Sequence, residues 1–227
     1  MRVAVLFSGG KDSCLALWYA LHQAWEVILL VSIEPRDEQS WMFHYPAVEW
    51  TGLQAESIGI PWTKLKTFGD RDAELLELRN HLAHVKREYS ISGIVSGSIE
   101  SEYQKTRIDR VSEEAGLKSF APLWRKKPKA ILSMQIDLGF EILVTACAAM
   151  GLTEEWLGRT LDMNALRDLE NLNRRYGIHI AFEGGEAETL VTNGPIFRKR
   201  LSILKSKKIW KFDSGHLEIA KAELQSK

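Results

Sequence analysis

Residues 8–13, Ser8-Gly9-Gly10-Lys11-Asp12-Ser13, narrow the fold more than any other stretch of the chain. An apolar run, Val3-Ala4-Val5-Leu6-Phe7, leads into them, and a helix-like run from Cys14 to His22 follows. A buried parallel strand, a tight glycine turn and a helix N-terminus together make an anion site. The turn's backbone N–H groups and the positive end of the helix dipole face one point, with Lys11 beside them. Glycine lets the backbone close around an oxyanion without a Cβ in the way. A phosphate chain suits such a site, which points to a nucleotide-using protein. The plainer alternative is an ordinary strand-to-helix turn with a Ser/Asp cap.

Spacing excludes two common phosphate loops. The Walker loop needs four residues between its glycines before the Gly-Lys-Ser/Thr end, and the dinucleotide fingerprint spaces its three glycines differently. Placed directly after the first strand, Ser8-Gly9-Gly10-Lys11-Asp12-Ser13 resembles the PP-loop of the N-type ATP pyrophosphatases. That resemblance implies cleavage of ATP between the α and β phosphates, adenylation of an acceptor oxygen and release of pyrophosphate.

Composition and charge bound the classes that remain. Its 227 residues suffice for one large domain or two small ones. Thirty basic residues balance thirty acidic ones, so bulk charge supplies no footprint for a long nucleic acid. Basic residues do gather at Arg125-Lys126-Lys127-Pro128-Lys129 and from Arg198-Lys199-Arg200 to Lys205, Lys207 and Lys208, where a solvated face is the ordinary reading. Only two cysteines occur, Cys14 and Cys147, at unrelated positions, which argues against a disulfide scaffold or a cysteine metal cluster. The chain opens on Met1-Arg2 and enters a strand at once, without a signal peptide, and its apolar runs are too short to cross a bilayer. A soluble cytoplasmic protein is expected.

Strand and helix signals alternate through the first half. Val27-Ile28-Leu29-Leu30-Val31 is continuously apolar, as a doubly covered parallel strand should be. A helix is expected around Ala47 to Ile58, a strand at Trp62 to Thr67, and a helix from Asp72 to Tyr89 with Leu75, Leu76, Leu78, Leu82 and Val85 on one side. Gly93 to Ser98 reads as a fourth strand running into a turn, and Tyr103 to Ala115 as a helix. This order predicts a parallel sheet with ligands beyond its carboxyl ends. From about Lys126 the pattern changes: a helix near Ala130 to Asp137, a strand at Glu141 to Ala146, and a helix from Asn164 to Tyr176. Asn193-Gly194 and Asp213-Ser214-Gly215 predict hairpins joining Leu190-Val191, Ile196 to Leu204, Ile209 to Phe212 and Leu217 to Ala220. The expected division is an ATP-binding domain over 1–125 and a smaller α+β substrate-binding domain over 126–227.

A second informative run is Phe182-Glu183-Gly184-Gly185-Glu186-Ala187-Glu188-Thr189. Three carboxylates around a glycine pair repel one another, and the glycines raise the entropy cost of ordering. A site for an amine, a cation or a metal–phosphate complex accounts for them; a solvated acidic turn is the bland alternative. Trp41-Met42-Phe43-His44-Tyr45 lies in a loop beyond a strand's end, where it can close over a ligand or form a small satellite core. Tyr103, Gln104 and Arg107 start a helix after the fourth strand and either meet ligand or simply face solvent and core.

These blocks together resemble the diphthine–ammonia ligase family of PP-loop enzymes. The match runs from the loop through Trp41-Met42-Phe43-His44, Gln54-Ala55-Glu56 and Gly59-Ile60-Pro61, then Gly97-Ser98-Ile99, Tyr103-Gln104, Arg107 and Pro122-Leu123-Trp124. It ends with Gly184-Gly185-Glu186-Ala187-Glu188-Thr189 and Gly194-Pro195-Ile196-Phe197, the most discriminating part. Phe182 and Ala187 depart from it, standing where the family usually has a glycine and an aromatic residue. The resemblance implies an adenine-nucleotide α-hydrolase-like fold and an ATP-dependent amide ligase that converts diphthine on elongation factor 2 to diphthamide. Ammonium would be the nitrogen source, because the chain has no room for a glutaminase domain.

On that reading Ser8, Gly9, Gly10, Lys11, Asp12 and Ser13 grip the phosphates, Lys11 neutralises charge on the bridging oxygen, and Mg²⁺ shares that task with Asp12 as its candidate ligand. By fold analogy, adenine falls near Ser32 and Ile33 and ribose near Gly97 and Ser98. His44, Tyr103, Gln104, Arg107, Glu186, Glu188 and Thr189 would meet the acceptor, and Glu183 and Glu186 would join Lys11 and Asp12 in catalysis, drawing in ammonium and removing its proton. No membrane or nucleic-acid partner is expected, and a homo-oligomer is compatible with the sequence. Two other readings stand beside this one: a tRNA-modifying PP-loop enzyme and a non-catalytic nucleotide binder of similar fold. The first lacks its paired cysteines and basic surface, and the second does not need an intact PP-loop.

Overall fold

The first strand, β1 (Arg2–Leu6), sends Val3 and Val5 to one face and Ala4 and Leu6 to the other, and all four are buried. A strand apolar on both sides belongs inside a parallel sheet. In the computed structural model, which describes residues 1–35, 48–67 and 71–227, β1 is that central strand. Its companions are β2 (Glu26–Pro35), β3 (Trp62–Thr67), β4 (Gly93–Val95) and β5 (Lys118–Phe120), in the order β3-β2-β1-β4-β5. Every pair is parallel. The order turns back on itself between β1 and β4, which is where a doubly wound sheet opens a crevice for ligand.

One face of this sheet is covered by α3 (Arg71–Tyr89) and α4 (Glu102–Glu114), through Leu78, Leu82, Val85, Ile108 and Val111. The expected stripe on α3 holds except at Leu76, which is 49% exposed. At 100° per residue, Leu75 and Leu76 cannot share the face of Leu78, Leu82 and Val85 equally, and Leu76 turns outward. The other face receives α1 (Lys11–His22), whose Cys14, Leu15, Ala16, Leu17 and Ala20 are fully enclosed.

Beyond α1 lies a second, antiparallel sheet of β6 (Glu141–Cys147), β7 (Ala187–Asn193), β8 (Arg200–Lys211) and β9 (Ser214–Gln225), in the order β7-β6-β9-β8. Two helices, α5 (Pro128–Asp137) and α6 (Met163–Tyr176), accompany it. One apolar cluster runs from Val3 and Val5 of β1 through Leu15 and Leu17 of α1 to Ile142, Val144 and Val191 of the second sheet. The two sheets therefore share a core across α1.

The tail of the chain corrects one expectation. Asn193-Gly194 does not turn a hairpin, because β7 pairs with β6 while β8 pairs with β9. After Gly194 the chain buries Phe197 and docks on α2 (Thr51–Ile58), where the Arg198 amide donates to the Ser57 carbonyl at 3.0 Å. That anchorage draws Ile196 to Lys199 out of the sheet, and β8 begins only at Arg200. The second expected hairpin does form, with its tip at Phe212 and Asp213. The short edge strand β5 had no counterpart among the sequence-based elements. No helix among the described residues is long and apolar enough to cross a membrane.

Candidate active site

A cleft of about 760 Å³ opens at the carboxyl ends of β1 and β4. One wall is the phosphate-loop segment, through Ser8, Gly10, Lys11, Asp12 and Ser13, with Ser96, Gly97 and Ser98 after β4. The opposite wall is the acidic segment, through Ala181 to Gly185 and then Ala187, Glu188 and Thr189. Tyr103 and Gln104 of α4 and Ile33 of β2 complete it. Two stretches that lie far apart in sequence thus form one site.

Three glycines shape this construction. Gly9 has φ +77°, in the left-handed region, and a Cβ there would lie 2.2 Å from Gln54 Oε1. A Cβ on Gly10 would sit 3.2 Å from the Thr189 carbonyl, so the two walls lie close together here. At Gly97 an added Cβ would meet backbone, 2.7 Å from the Asp12 carbonyl carbon. The end of β4 can therefore touch the first turn of α1.

Buried glutamines pin the loop. Gln54 Nε2 donates to the Gly9 carbonyl at 2.9 Å and to the Val191 carbonyl at 2.7 Å, while the Val191 amide also donates to Gly9 at 3.0 Å. Gln135 Nε2 donates to the Lys11 carbonyl at 3.0 Å and to Asp12 Oδ1 at 3.2 Å. Sequence reasoning gave neither a role of its own. Their trace is a polar residue inside an apolar helical run, Leu53-Gln54-Ala55 and Met134-Gln135-Ile136.

Lys11 is 3% exposed, and its Nζ donates to Asp12 Oδ2 at 2.5 Å and to the Ala181 carbonyl at 2.6 Å. Its amide donates to Thr189 Oγ1 at 3.2 Å. A buried ammonium so held is paired and hydrogen-bonded, which offsets its desolvation. The Ser8 hydroxyl donates to Ser13 Oγ, Ser13 Oγ to the Gly10 carbonyl, and the Ser96 and Ser98 hydroxyls lie 3.4 Å apart. Four hydroxyls, a helix N-terminus and one ammonium in a glycine-lined cradle form a donor set that fits a polyphosphate.

The three carboxylates of the acidic block divide. Glu188 lies in the cleft, and burial pushes its carboxyl up to about 7 against the opposing pull of Lys11. Glu183 lines the cleft too, but its Oε2 accepts from the Glu100 and Ser101 amides at 3.0 and 3.1 Å, at the N-terminus of α4. Glu186 folds back on its own turn, taking the His179 amide on Oε1 and the Gly184 amide on Oε2, each at 2.9 Å. Glu186 is not among the residues lining the cleft.

Other expected site residues spread similarly. Ser32 is fully buried, donating to the Phe7 carbonyl at 2.6 Å and accepting from Trp62 Nε1 at 2.8 Å, while its neighbour Ile33 reaches the cleft. Arg107 lies 3.4 Å over the Tyr103 ring and donates to the Tyr103 carbonyl rather than lining the cleft. His44, with the Trp41 to Tyr45 loop, lies outside the described residues. Phe182 adopts φ +62° and lines the cleft 5.7 Å from Lys11 Nζ, and Ala187 is buried in the same wall. Cys14 is enclosed, and burial holds its thiol well above its usual range, so it is inert packing.

Two family models together span nearly the whole chain. Residues 1–119 match the diphthamide synthase N-terminal domain and residues 127–224 the diphthamide synthase C-terminal domain. The diphthine–ammonia ligase of Danio rerio is 33% identical over 221 residues, covering 89% of this chain and 86% of its own length. That of Homo sapiens is 30% identical over 225 residues, covering 89% of this chain and 83% of its own. Among solved structures, one from Methanocaldococcus jannaschii, titled as a subunit of tRNA methyltransferase, aligns at TM-score 0.46 and 18% identity. It covers 86% of this chain and 98% of that one, and is too distant to bear on function. By sequence over nearly its full length, this chain belongs to the diphthamide synthase family.

Proposed function

We propose that this chain is an ATP-dependent ligase that joins ammonia to the carboxylate of diphthine on elongation factor 2, in the cytoplasm, releasing AMP and pyrophosphate. One observation carries the reading: Lys11 binds the phosphate loop to the acidic wall, through Thr189 Oγ1 and the Ala181 carbonyl. Activation and amidation then share one cleft, as a reactive acyl adenylate requires.

In the first step a diphthine carboxylate oxygen attacks the α-phosphorus of ATP. The bond to the bridging oxygen breaks, and its electron pair leaves with pyrophosphate. Ser8, Gly9, Gly10 and Ser13 cradle the departing phosphates while Lys11 offsets the charge that grows on the bridge. Asp12 holds Lys11 in place, and it is the candidate protein ligand for a magnesium ion carried in on the phosphates. Among the described residues no group of three or more His, Cys, Asp or Glu side chains is placed to hold a metal ion by itself. Adenine lies toward Ile33, with Ser32 fixing the end of β1, and ribose toward Gly97 and Ser98.

In the second step ammonia attacks the acyl carbon, AMP departs, and the nitrogen loses a proton. Ammonium must shed one proton before attack, and Glu188 is suited to take it, because a carboxyl titrating near 7 is a base matched to neutral pH. Tyr103 and Gln104 face the acceptor. Glu183 and Glu186 act by shaping the wall: one seats α4, the other closes the turn. The division at residue 125 leaves the phosphate loop in the first part, while the acceptor is met from both parts, by Tyr103 and Gln104 of α4 and by the acidic wall.

The test is AMP formation from ATP with purified chain, in the presence and absence of diphthine-bearing elongation factor 2. AMP that requires the modified factor supports the reading. AMP formation that instead requires tRNA, or tight ATP binding without turnover, overturns it.

A further inference from the structure

His179 precedes the acidic block and sits at the centre of its turn. The ring Nδ1 accepts the amides of Ala181 and Glu183, at 3.2 and 3.3 Å. Two N–H groups aimed at Nδ1 assign it the lone pair, so the neutral ring carries its proton on Nε2. That Nε2–H donates to Glu100 Oε2 at 2.8 Å. The backbone of His179 closes the same turn, its carbonyl accepting the Phe182 amide and its amide donating to Glu186.

These contacts lead to the reacting centre. Ala181, whose amide rests on the ring, offers its carbonyl to Lys11 Nζ at 2.6 Å. Glu183, whose amide rests on the same nitrogen, presents its carboxylate to the amides of Glu100 and Ser101. Glu100 in turn holds the far side of the ring. The imidazole therefore fastens the acidic turn to the start of α4 on one side and to the lysine on the other.

We infer that His179 is a positioning residue of the proposed ligase: its Nε2-protonated ring holds the Ala181–Glu183 turn so that the Ala181 carbonyl keeps Lys11 aimed into the cleft. The inference rests on the adenylation reading above. The acceptor at Nδ1 is the essential half, because it acts on the residue that holds Lys11, while Nε2 only ties the turn to Glu100. A lysine misplaced by about 1 Å can lose about a hundredfold in rate without losing its substrate.

Three variants separate the two ring nitrogens. His179→Asn leaves an oxygen near the Nδ1 position, His179→Gln leaves a donor near Nε2, and His179→Ala leaves neither. Their kcat and KM for ATP are measured by AMP formation on diphthine-bearing elongation factor 2, and hydrogen exchange is followed at the Ala181 and Glu183 amides of the full chain. His179→Ala and His179→Gln should lose about a hundredfold in kcat with KM for ATP little changed, while His179→Asn stays within about threefold of wild type. Both amides should exchange faster in the Ala and Gln variants than in the Asn variant. Wild-type kcat in His179→Ala, rescue by Gln as full as by Asn, or equal exchange in all three overturns the inference. A wild-type chain that makes no AMP overturns the adenylation reading instead, and amide exchange still decides whether the ring holds the turn.

Discussion

The Lys11 amide donates to the Thr189 hydroxyl at 3.2 Å, across 178 positions of sequence. With the Lys11 ammonium on the Ala181 carbonyl, this contact joins the anion loop to the acidic block. It also places the carboxyl of Glu188, the proposed proton acceptor, on the neighbouring residue of β7. On the proposed reading, this closure brings activation and amidation together.

Lys11→Ala removes the one ammonium in the loop and should lower AMP formation by at least about a hundredfold, the loss expected when a transition-state contact of about 3 kcal/mol is deleted. Asp12→Ala frees that ammonium from its carboxylate partner and should also abolish turnover. Single-turnover AMP formation, with circular dichroism as a fold control, checks both. Wild-type rates in both variants would remove the loop from the chemistry.

Glu188 gives the protein a pH signature. Its carboxyl is raised from 4.5 to about 7 on folding, so between those values the native state binds more protons than the unfolded one. Stability from this group is complete below about 4.5 and is lost as pH rises through about 7. Glu188→Gln cannot ionise, so its melting temperature relative to wild type should improve from pH 5 to pH 8. Its amidation rate should lose the rise through neutral pH that a carboxylate base confers. Parallel melting curves for the two proteins at all pH values would contradict the assignment.

Glu186→Gln keeps one oxygen where two amides, those of His179 and Gly184, now find acceptors. One amide then faces an NH₂ group, at a cost of about 1–2 kcal/mol in stability. Turnover should fall while ATP affinity stays near normal, because the nucleotide side is held by the loop and not by this turn. Isothermal titration with ATP alongside AMP formation separates the effects. A variant with full stability and full turnover would make the turn incidental.

Gly97→Ala places a methyl group 2.7 Å from the Asp12 carbonyl carbon, a backbone atom that no rotamer change can clear. The end of β4 must back away from α1, costing about 1–3 kcal/mol. ATP affinity should weaken along with stability, because the same displacement opens the cradle. Normal ATP affinity in a destabilised protein would place the nucleotide elsewhere.

The parallel sheet and the anion loop were legible because β1 and β2 are continuous apolar runs and a glycine pair sets β1 off from α1. Their burial depends on local composition and leaves a local mark. Lys118–Phe120 left none, being three residues long, and Asn193-Gly194 misled because its hairpin signal competes with the burial of Phe197 and the hold of Ser57 on Arg198. The site was legible as residue types but not as orientations. Glu183, Glu186 and Glu188 look alike in sequence, yet one seats α4 at the cleft's edge, one closes its own turn and one is buried in the cleft wall. Those assignments depend on which amides each carboxylate finds, distant ones from Glu100 and Ser101 for Glu183 and local ones from His179 and Gly184 for Glu186, and no spacing rule encodes that choice. Gln54 and Gln135 show the same limit: each marks its helix as polar at one buried point without indicating the Gly9 or Asp12 it serves.

The central claim, that one cleft adenylates the carboxylate and then amidates it with free ammonia, is tested most directly by ¹⁵N-ammonium. Diphthine-bearing elongation factor 2, ATP and the chain are incubated with the label, and the modified peptide is weighed by mass spectrometry while AMP and ADP are quantified. One ¹⁵N incorporated per AMP formed, with pyrophosphate and no ADP, is the predicted result. ADP as the stoichiometric product, or nitrogen taken only from glutamine, would contradict it.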